Sequence, residues 1–158
     1  MSLSNYERMI QLAEDVFDAK NDPDQLDVDE KVIEHLLKLH PAAVSELEDS
    51  NGPFCWVLLI PTTSRLMNLF LQNEISEKEL YLQTPLNIKY EAVYLCSAMM
   101  LQEYQGKGMA KALTVKAIKS ICNIHPVQSL FVWPFSKKGA MLGETIATEL
   151  SLPLFKKS

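Results

Sequence analysis

The residues best suited to chemistry lie in one turn, Gln105-Gly106-Lys107-Gly108-Met109-Ala110. It joins an apolar run, Ala92–Leu101, to an amphipathic segment, Met109–Cys122. In that segment Met109, Ala112, Leu113, Ala117, Ile118 and Ile121 form a stripe, with Lys111, Lys116 and Lys119 off it. Such spacing predicts strand, tight turn and helix. The first N–H groups of a helix lack internal partners and carry the positive end of its dipole. Glycine removes the Cβ atoms that keep a ligand away from the backbone. Gly106, Gly108, the helix start and the charge of Lys107 therefore suit an anion such as a pyrophosphate. The same glycines also suit an ordinary strand–helix connection, since short glycine motifs recur widely.

The turn resembles the Q/R-x-x-G-x-G/A signature of the GNAT N-acetyltransferases, and Glu103–Gly108 is similar to that family's EYRGKG variant. The likeness covers Glu91–Ser136 and is thin elsewhere. It implies that backbone N–H groups of Gln105, Gly106, Lys107, Gly108, Met109 and Ala110 hold the pyrophosphate of acetyl-CoA. It implies that Ala98, Met99 and Met100, at the end of the preceding strand, bind the pantetheine arm. Ser136 either bonds the pantetheine amides or caps the last helix. The implied reaction is direct acetyl transfer from the thioester to an amine, of a small molecule or a protein, with acetyl-CoA as co-substrate and no metal.

Such transfer needs a polarised carbonyl, a neutral amine and protonation of the leaving thiolate. Backbone N–H groups near Ala98 can serve as oxyanion donors. Glu91, just before the organising strand, is the first candidate base, as some family members carry a glutamate there. Glu144 in the last helix is the second. Both positions also suit plain solvated carboxylates. The family's usual acid is a tyrosine early in the last helix, and the alignment puts Gly143 there. Tyr90, Tyr94 and Tyr104 read as packing or turn residues. Cys96 lies on the right strand but in an apolar setting, where a thiol is ordinarily inert. Trp133 and Phe135 close the next strand, and Trp133 suits either the pantetheine slot or the core. His35 and His40 are too far apart in sequence for a helical zinc pair, and with His125 they make no metal set. A second hypothesis follows from the missing tyrosine: a catalytically degenerate module that binds a CoA thioester as a sensor or interaction domain. A third is a phosphate-binding or ligand-free α/β domain outside the family.

The elements that must position these residues read as follows. Ser4–Lys20 is a helix with a Ser4/Glu7 capping box and a stripe of Tyr6, Met9, Ile10, Ala13, Val16 and Phe17, stopped at Asn21-Asp22-Pro23-Asp24. Asp27 or Asp29 starts a second helix, ending before His40-Pro41. A short helix is expected at Ala42–Glu48 and a loop at Asp49–Pro53. Phe54–Ile60 is a central strand, ended by Pro61. Thr62–Asn73 has helical spacing, although the family pattern asks for a strand at Arg65–Leu71. Ser76 and Glu79 box a helix to Gln83. Ser129–Trp133 is a strand, Lys137–Leu150 the last helix, and Leu152–Phe155 a small final strand. The expected fold is a single α/β domain, 1–158, with a GNAT-like mixed sheet flanked by helices. It is trimmed at both ends: the first strand and at least one terminal strand are missing, and the hairpin partner as well.

Composition narrows the function classes. The chain has 158 residues, 47% of them hydrophobic and 22% charged, enough for a buried core. A net charge of −5 argues against a nucleic-acid partner. The acidic positions Asp22, Asp24, Asp27, Asp29 and Glu30 can attract a cation or form a solvated face. No run is long and apolar enough for a membrane span, and Met1–Ile10 lacks a secretion pattern. Cys55, Cys96 and Cys122 read as reduced core residues of a cytoplasmic protein. The expected state is monomer or homodimer.

Overall fold

Residues along strand β3 (Ala92–Met100) face two apolar layers, and both are covered by helices. The computed structural model describes residues 4–20, 25, 26, 28–134 and 136–157. The sheet has five strands in the order β1 (Val44–Asp49), β2 (Gly52–Thr62), β3, β4 (Ser129–Val132) and β5 (Leu154–Lys156). β1 pairs with β2 and β2 with β3 antiparallel, while β3, β4 and β5 are mutually parallel. The helices are α1 (Asn5–Lys20), α2 (Glu30–Leu39), α3 (Ser64–Leu71), α4 (Glu77–Gln83), α5 (Met109–Cys122) and α6 (Lys137–Leu150).

Alternation along the strands sorts side chains by face. Leu58, Ile60, Tyr94 and Phe131 meet α2, α3 and α4 through Leu36, Leu66, Phe70 and Leu80. Val57, Leu59, Val93 and Leu130 meet α1, α5 and α6 through Met9, Ile118, Ile121 and Ile146. The helix starts follow ordinary capping chemistry. Asp29, Thr63, Ser76 and Ser136 accept the N–H groups of Val32, Leu66, Glu79 and Gly139. Helix is also the state of Ser64–Leu71, as its apolar spacing predicts, so no strand forms at Arg65–Leu71.

Several expectations are corrected. Ala42–Glu48 is no helix: Pro41–Ala43 is one 3-10 turn, and β1 follows. Its Ala, Leu and Glu residues favour helix locally, but the free edge of β2 needs hydrogen-bond partners, and β1 supplies them. The hairpin partner judged missing is therefore present, before β2 in the chain. The loop expected at Asp49–Pro53 shrinks to a tight turn, with β2 already begun at Gly52. Pro61 does not end β2, which continues to Thr62. Cys122 is exposed, unlike the buried Cys55 and Cys96. Tyr6 and Ile10 of the α1 stripe are exposed, while Met9 is fully buried. The stop at Asn21-Asp22-Pro23-Asp24, the side chains of Val16 and Phe17, and residues Asp27 and Phe135 lie outside what is described.

Glu77 is turned inward in the first turn of α4, where the other buried residue is the apolar Leu80. Its Oε1 accepts the Leu26 N–H at 2.6 Å, and its Oε2 accepts the Tyr94 hydroxyl. Burial first, and then the Glu77 charge, push the Tyr94 hydroxyl well above its ordinary range. The phenol therefore stays protonated and donates. Removing a donor from a buried carboxylate leaves its desolvation uncompensated. Tyr94→Phe is expected to lower unfolding free energy by about 1–3 kcal/mol, measured by denaturant titration.

His40 is the C-cap residue of α2 and is buried. Its Nδ1 accepts the Ala42 N–H, and its ring lies 6.0 Å from that of His125. His125 Nδ1 in turn accepts the Tyr90 N–H at 3.2 Å. Desolvation lowers both imidazoles below their ordinary value of 6.5, with Lys89 and His40 adding to the effect on His125. The unfolded chain thus binds protons more readily than the folded one at these sites. Their stabilisation is full above pH 6.5 and is lost as pH falls below it. The melting temperature should drop on acidification from neutrality, and His40→Gln should reduce that dependence.

Candidate functional site

The sheet comes apart where β3 outruns β4. Their parallel pairing covers Ala92–Leu95 against Ser129–Val132 and goes no further. β3 continues to Met100 on the β2 side alone. Just past the last paired residue, β3 carries one extra residue, Cys96, because Leu58 pairs with Ser97 while Leu59 pairs with Leu95. A bulge bends its strand and re-aims the side chains beyond it. Ser97 then shares the face of Leu58, and Ala98 that of Val57. Between the diverging strands opens a cleft of about 290 Å³, walled by Ser97 and Ala98 on one side and Trp133 and Pro134 on the other. Thr114 of α5 and Gly143 of α6 also line it.

The turn after β3 is rigid at its near end and open at its far end. Arg8 of α1 grips Glu103 with two bonds of 2.6 Å. That grip holds the Glu103 carboxyl at about 2. Tyr104 stacks on Phe54 at 4.0 Å, and its hydroxyl donates to Asp49. Gln105 donates to the Met100 carbonyl at 3.0 Å and accepts from Lys138 at 2.9 Å. Beyond these anchors, Gly106 and Gly108 adopt φ of +83° and +74°, which side-chain-bearing residues avoid. A Cβ at either position would meet nothing within 4 Å. Gly108 is the N-cap of α5 and supplies no side-chain cap, so the first N–H groups of α5 receive no cap bond from it. Lys137 and Lys138 occupy the first turn of α6, against its dipole. Lys107, Lys138 and two helix starts thus give the region a positive field.

The site residues read from sequence separate into two sets. Ala98 and Ser136 line the cleft, and Ser136 also caps α6 through Gly139 at 3.0 Å. Gln105, Gly106, Lys107, Gly108, Met109 and Ala110 form the turn and helix start. Met99 and Met100 are buried against the α1 and α5 layer, away from the cleft lining. Glu91 lies at the opposite end of β3, about 23 Å along the strand from Ala98 at ~3.3 Å per residue. Its Oε1 accepts the Ser64 N–H at 3.2 Å, next to the α3 N-cap. Glu144 is on the outer face of α6, paired with Lys156. Gly143 is buried where α6 crosses the sheet: a Cβ there would touch Leu154, Leu95 and Val132 at 3.5–3.9 Å. Burial lifts the Cys55 thiol to about 11, an unreactive state. Among the described residues no group of three or more His, Cys, Asp or Glu could hold a metal ion. No described helix is long and apolar enough to cross a membrane.

Sequence reasoning missed Ser97, Thr114 and Lys138. Lys138 left a signal, a basic pair directly after a helix cap, where acids are favoured. Ser97 and Thr114 left none, because the bulge and the helix approach that bring them to the cleft are tertiary features. In comparisons with protein-family models, curated protein sequences and solved structures, the chain matches none.

The open space around Gly108 isolates its backbone requirement from packing. Gly108→Ala is expected to cost about 1–2 kcal/mol, from the left-handed conformation alone. Gly108→Asn should cost clearly less, as asparagine tolerates that region. Denaturant unfolding of the two variants checks the order.

Proposed function

We propose that the chain is an acetyl-CoA-dependent N-acetyltransferase with a trimmed GNAT-like architecture. The observation that carries this reading is the cleft between β3 and β4, which Thr114 of α5 lines, six residues after that helix's N-cap Gly108. The cleft suits the pantetheine arm, and an anion site at the start of the helix that carries Thr114 suits a pyrophosphate. The residues present fit such a molecule: the space at both glycines is empty, and the nearby charges include Lys107 and Lys138. Bound there, acetyl-CoA supplies an activated thioester carbonyl. The backbone of Gly108, Met109 and Ala110 would hold phosphate oxygens, and Ala98 and Ser136 would flank the arm. The Arg8–Glu103 and Tyr104–Asp49 contacts keep the turn in place, so little ordering is left to binding. Relative to the family pattern, the described residues show no strand before α1 and one strand after α6. The acceptor is an amine, the location cytoplasmic and the state monomer or homodimer; no nucleic acid or membrane enters the proposal.

A second reading is favoured by one observation. Among the described residues lining the cleft there is no carboxylate, histidine, lysine or tyrosine. Gly143 stands where the family's tyrosine would be, and Glu91 is far along the strand. A module that binds a CoA thioester without turning it over fits those facts, and acts as a sensor or interaction domain.

Calorimetry with acetyl-CoA and with CoA tests the shared premise. Wild type should bind at about micromolar strength, roughly −8 kcal/mol. Gly108→Trp should weaken binding at least ~10-fold, and Gly108→Asn much less, which separates a blocked site from a strained turn. Failure of the wild type to bind either ligand overturns both readings. Turnover on a broad panel of amines selects the enzyme, and binding without turnover selects the module.

A further inference from the structure

One lysine, Lys157, rests on two aromatic rings. The Lys157 ammonium sits 4.2 Å from the ring centre of Trp133 and 4.7 Å from that of Phe70. The two rings are 6.3 Å apart and nearly perpendicular, at 77°, so they form a corner. Phe70 is fully buried and belongs to a wider aromatic group with Tyr94 and Phe131. Among the described residues no carboxylate lies within ion-pair distance of Lys157. The chain brings this lysine in deliberately placed register: the Lys157 N–H donates to the Val132 carbonyl at 2.9 Å, extending the β4–β5 pairing by one bond.

Two aromatic faces meeting at a corner are a general device for holding ammonium groups, because each face carries partial negative charge. Of the corner's two rings, Trp133 also lines the cleft. We propose that the Phe70–Trp133 corner is a recognition site for a protonated alkylamine, filled by the chain's own Lys157 until a ligand displaces it. The site selects a compact cation on an alkyl stem, which is the shape Lys157 itself presents. A neutral alcohol of the same length lacks the charge the faces recognise, and an anion is repelled by them. The corner lies on the α3 side of the sheet, while the turn and the start of α5 belong to the other layer. An alkylamine there would approach the cleft from the side opposite the α5 helix. The corner's role as the acceptor site rests on the acetyl-transfer reading, whereas its affinity for an ammonium does not.

Trp56→Phe leaves Trp133 as the remaining tryptophan and makes its emission the reporter. In that background n-butylammonium and n-butanol are titrated into proteins carrying Lys157, Lys157→Met and Lys157→Arg. Butylammonium should bind the Lys157→Met protein at least ~5-fold more tightly than the parent, because a filled site lowers apparent affinity by the fraction left empty. Lys157→Arg keeps a cation in the corner and should match the parent. Butanol should give no saturable change in any of them. Equal butylammonium affinity with Lys157 and with Lys157→Met overturns the proposal, as does butanol binding as tightly as butylammonium. Acetyl-CoA calorimetry on the Lys157→Met protein separates the two ideas. Ammonium binding without acetyl-CoA binding overturns the acetyl-transfer reading alone. Acetyl-CoA binding without ammonium discrimination overturns the corner alone.

Discussion

Strand β3 has two neighbours along half its length and one along the rest, and the molecule is arranged around that inequality. Buried backbone groups must find partners, so a strand cannot simply lose a neighbour in the middle of a sheet. Here the loss coincides with the Cys96 bulge, and the unmatched stretch opens onto a cleft instead of a packed core. Three elements then meet at its edges: Thr114 of α5, the start of α6, and the end of β4.

The sheet can tolerate this opening because its other half is tied firmly. β2 pairs with β3 from Cys55 to Thr62, and β1 closes the far edge of β2. On one face Glu77 connects α4 to Tyr94 and to the backbone at Leu26, a polar anchor inside an apolar layer. On the same face Phe70, Tyr94 and Phe131 interlock at 5.0–5.8 Å, geometry that favours edge and tilted contacts. The rigid half thereby sets the positions of β3 and β4 from which the two strands diverge.

Electrostatics divides the turn after β3 into a held part and a presented part. Residues 102–105 are fixed by α1, by the β1 end and by α6 through charged or aromatic contacts. The pair between Arg8 and Glu103 is exposed, so its value is positional more than energetic. Gly106 and Gly108 then carry the backbone outward through the left-handed region and leave the α5 dipole uncovered. A glycine with empty space around it, at the head of a helix without a cap, is a local sacrifice of stability. Each of the other helices has a Ser, Thr or Asp cap among the described residues.

Local chemistry was enough to read much of this chain. The stripe of Met109–Cys122, the caps at Ser76 and Ser136, and the apolar runs of β2, β3 and β4 depend on short-range spacing alone, and the helices and strands formed there; between Asp27 and Asp29, and between Thr62 and Thr63, spacing left the cap open, and Asp29 and Thr63 take it. The turn with Gly106 and Gly108 was legible for the same reason, since positive φ is a property of the residue type. Val44–Asp49 was misread because its propensity is helical and only the free edge of β2 makes it a strand. The inward turn of Glu77, the burial of His40 and the corner of Phe70, Trp133 and Lys157 join residues from distant parts of the chain, and no spacing announces them. Sequence by itself determined the helical and extended segments other than Val44–Asp49, and where the backbone could take a left-handed step. Tertiary structure alone decided where β3 and β4 part and which side chains meet there, because a sheet's pairing and its gaps depend on which strands become neighbours.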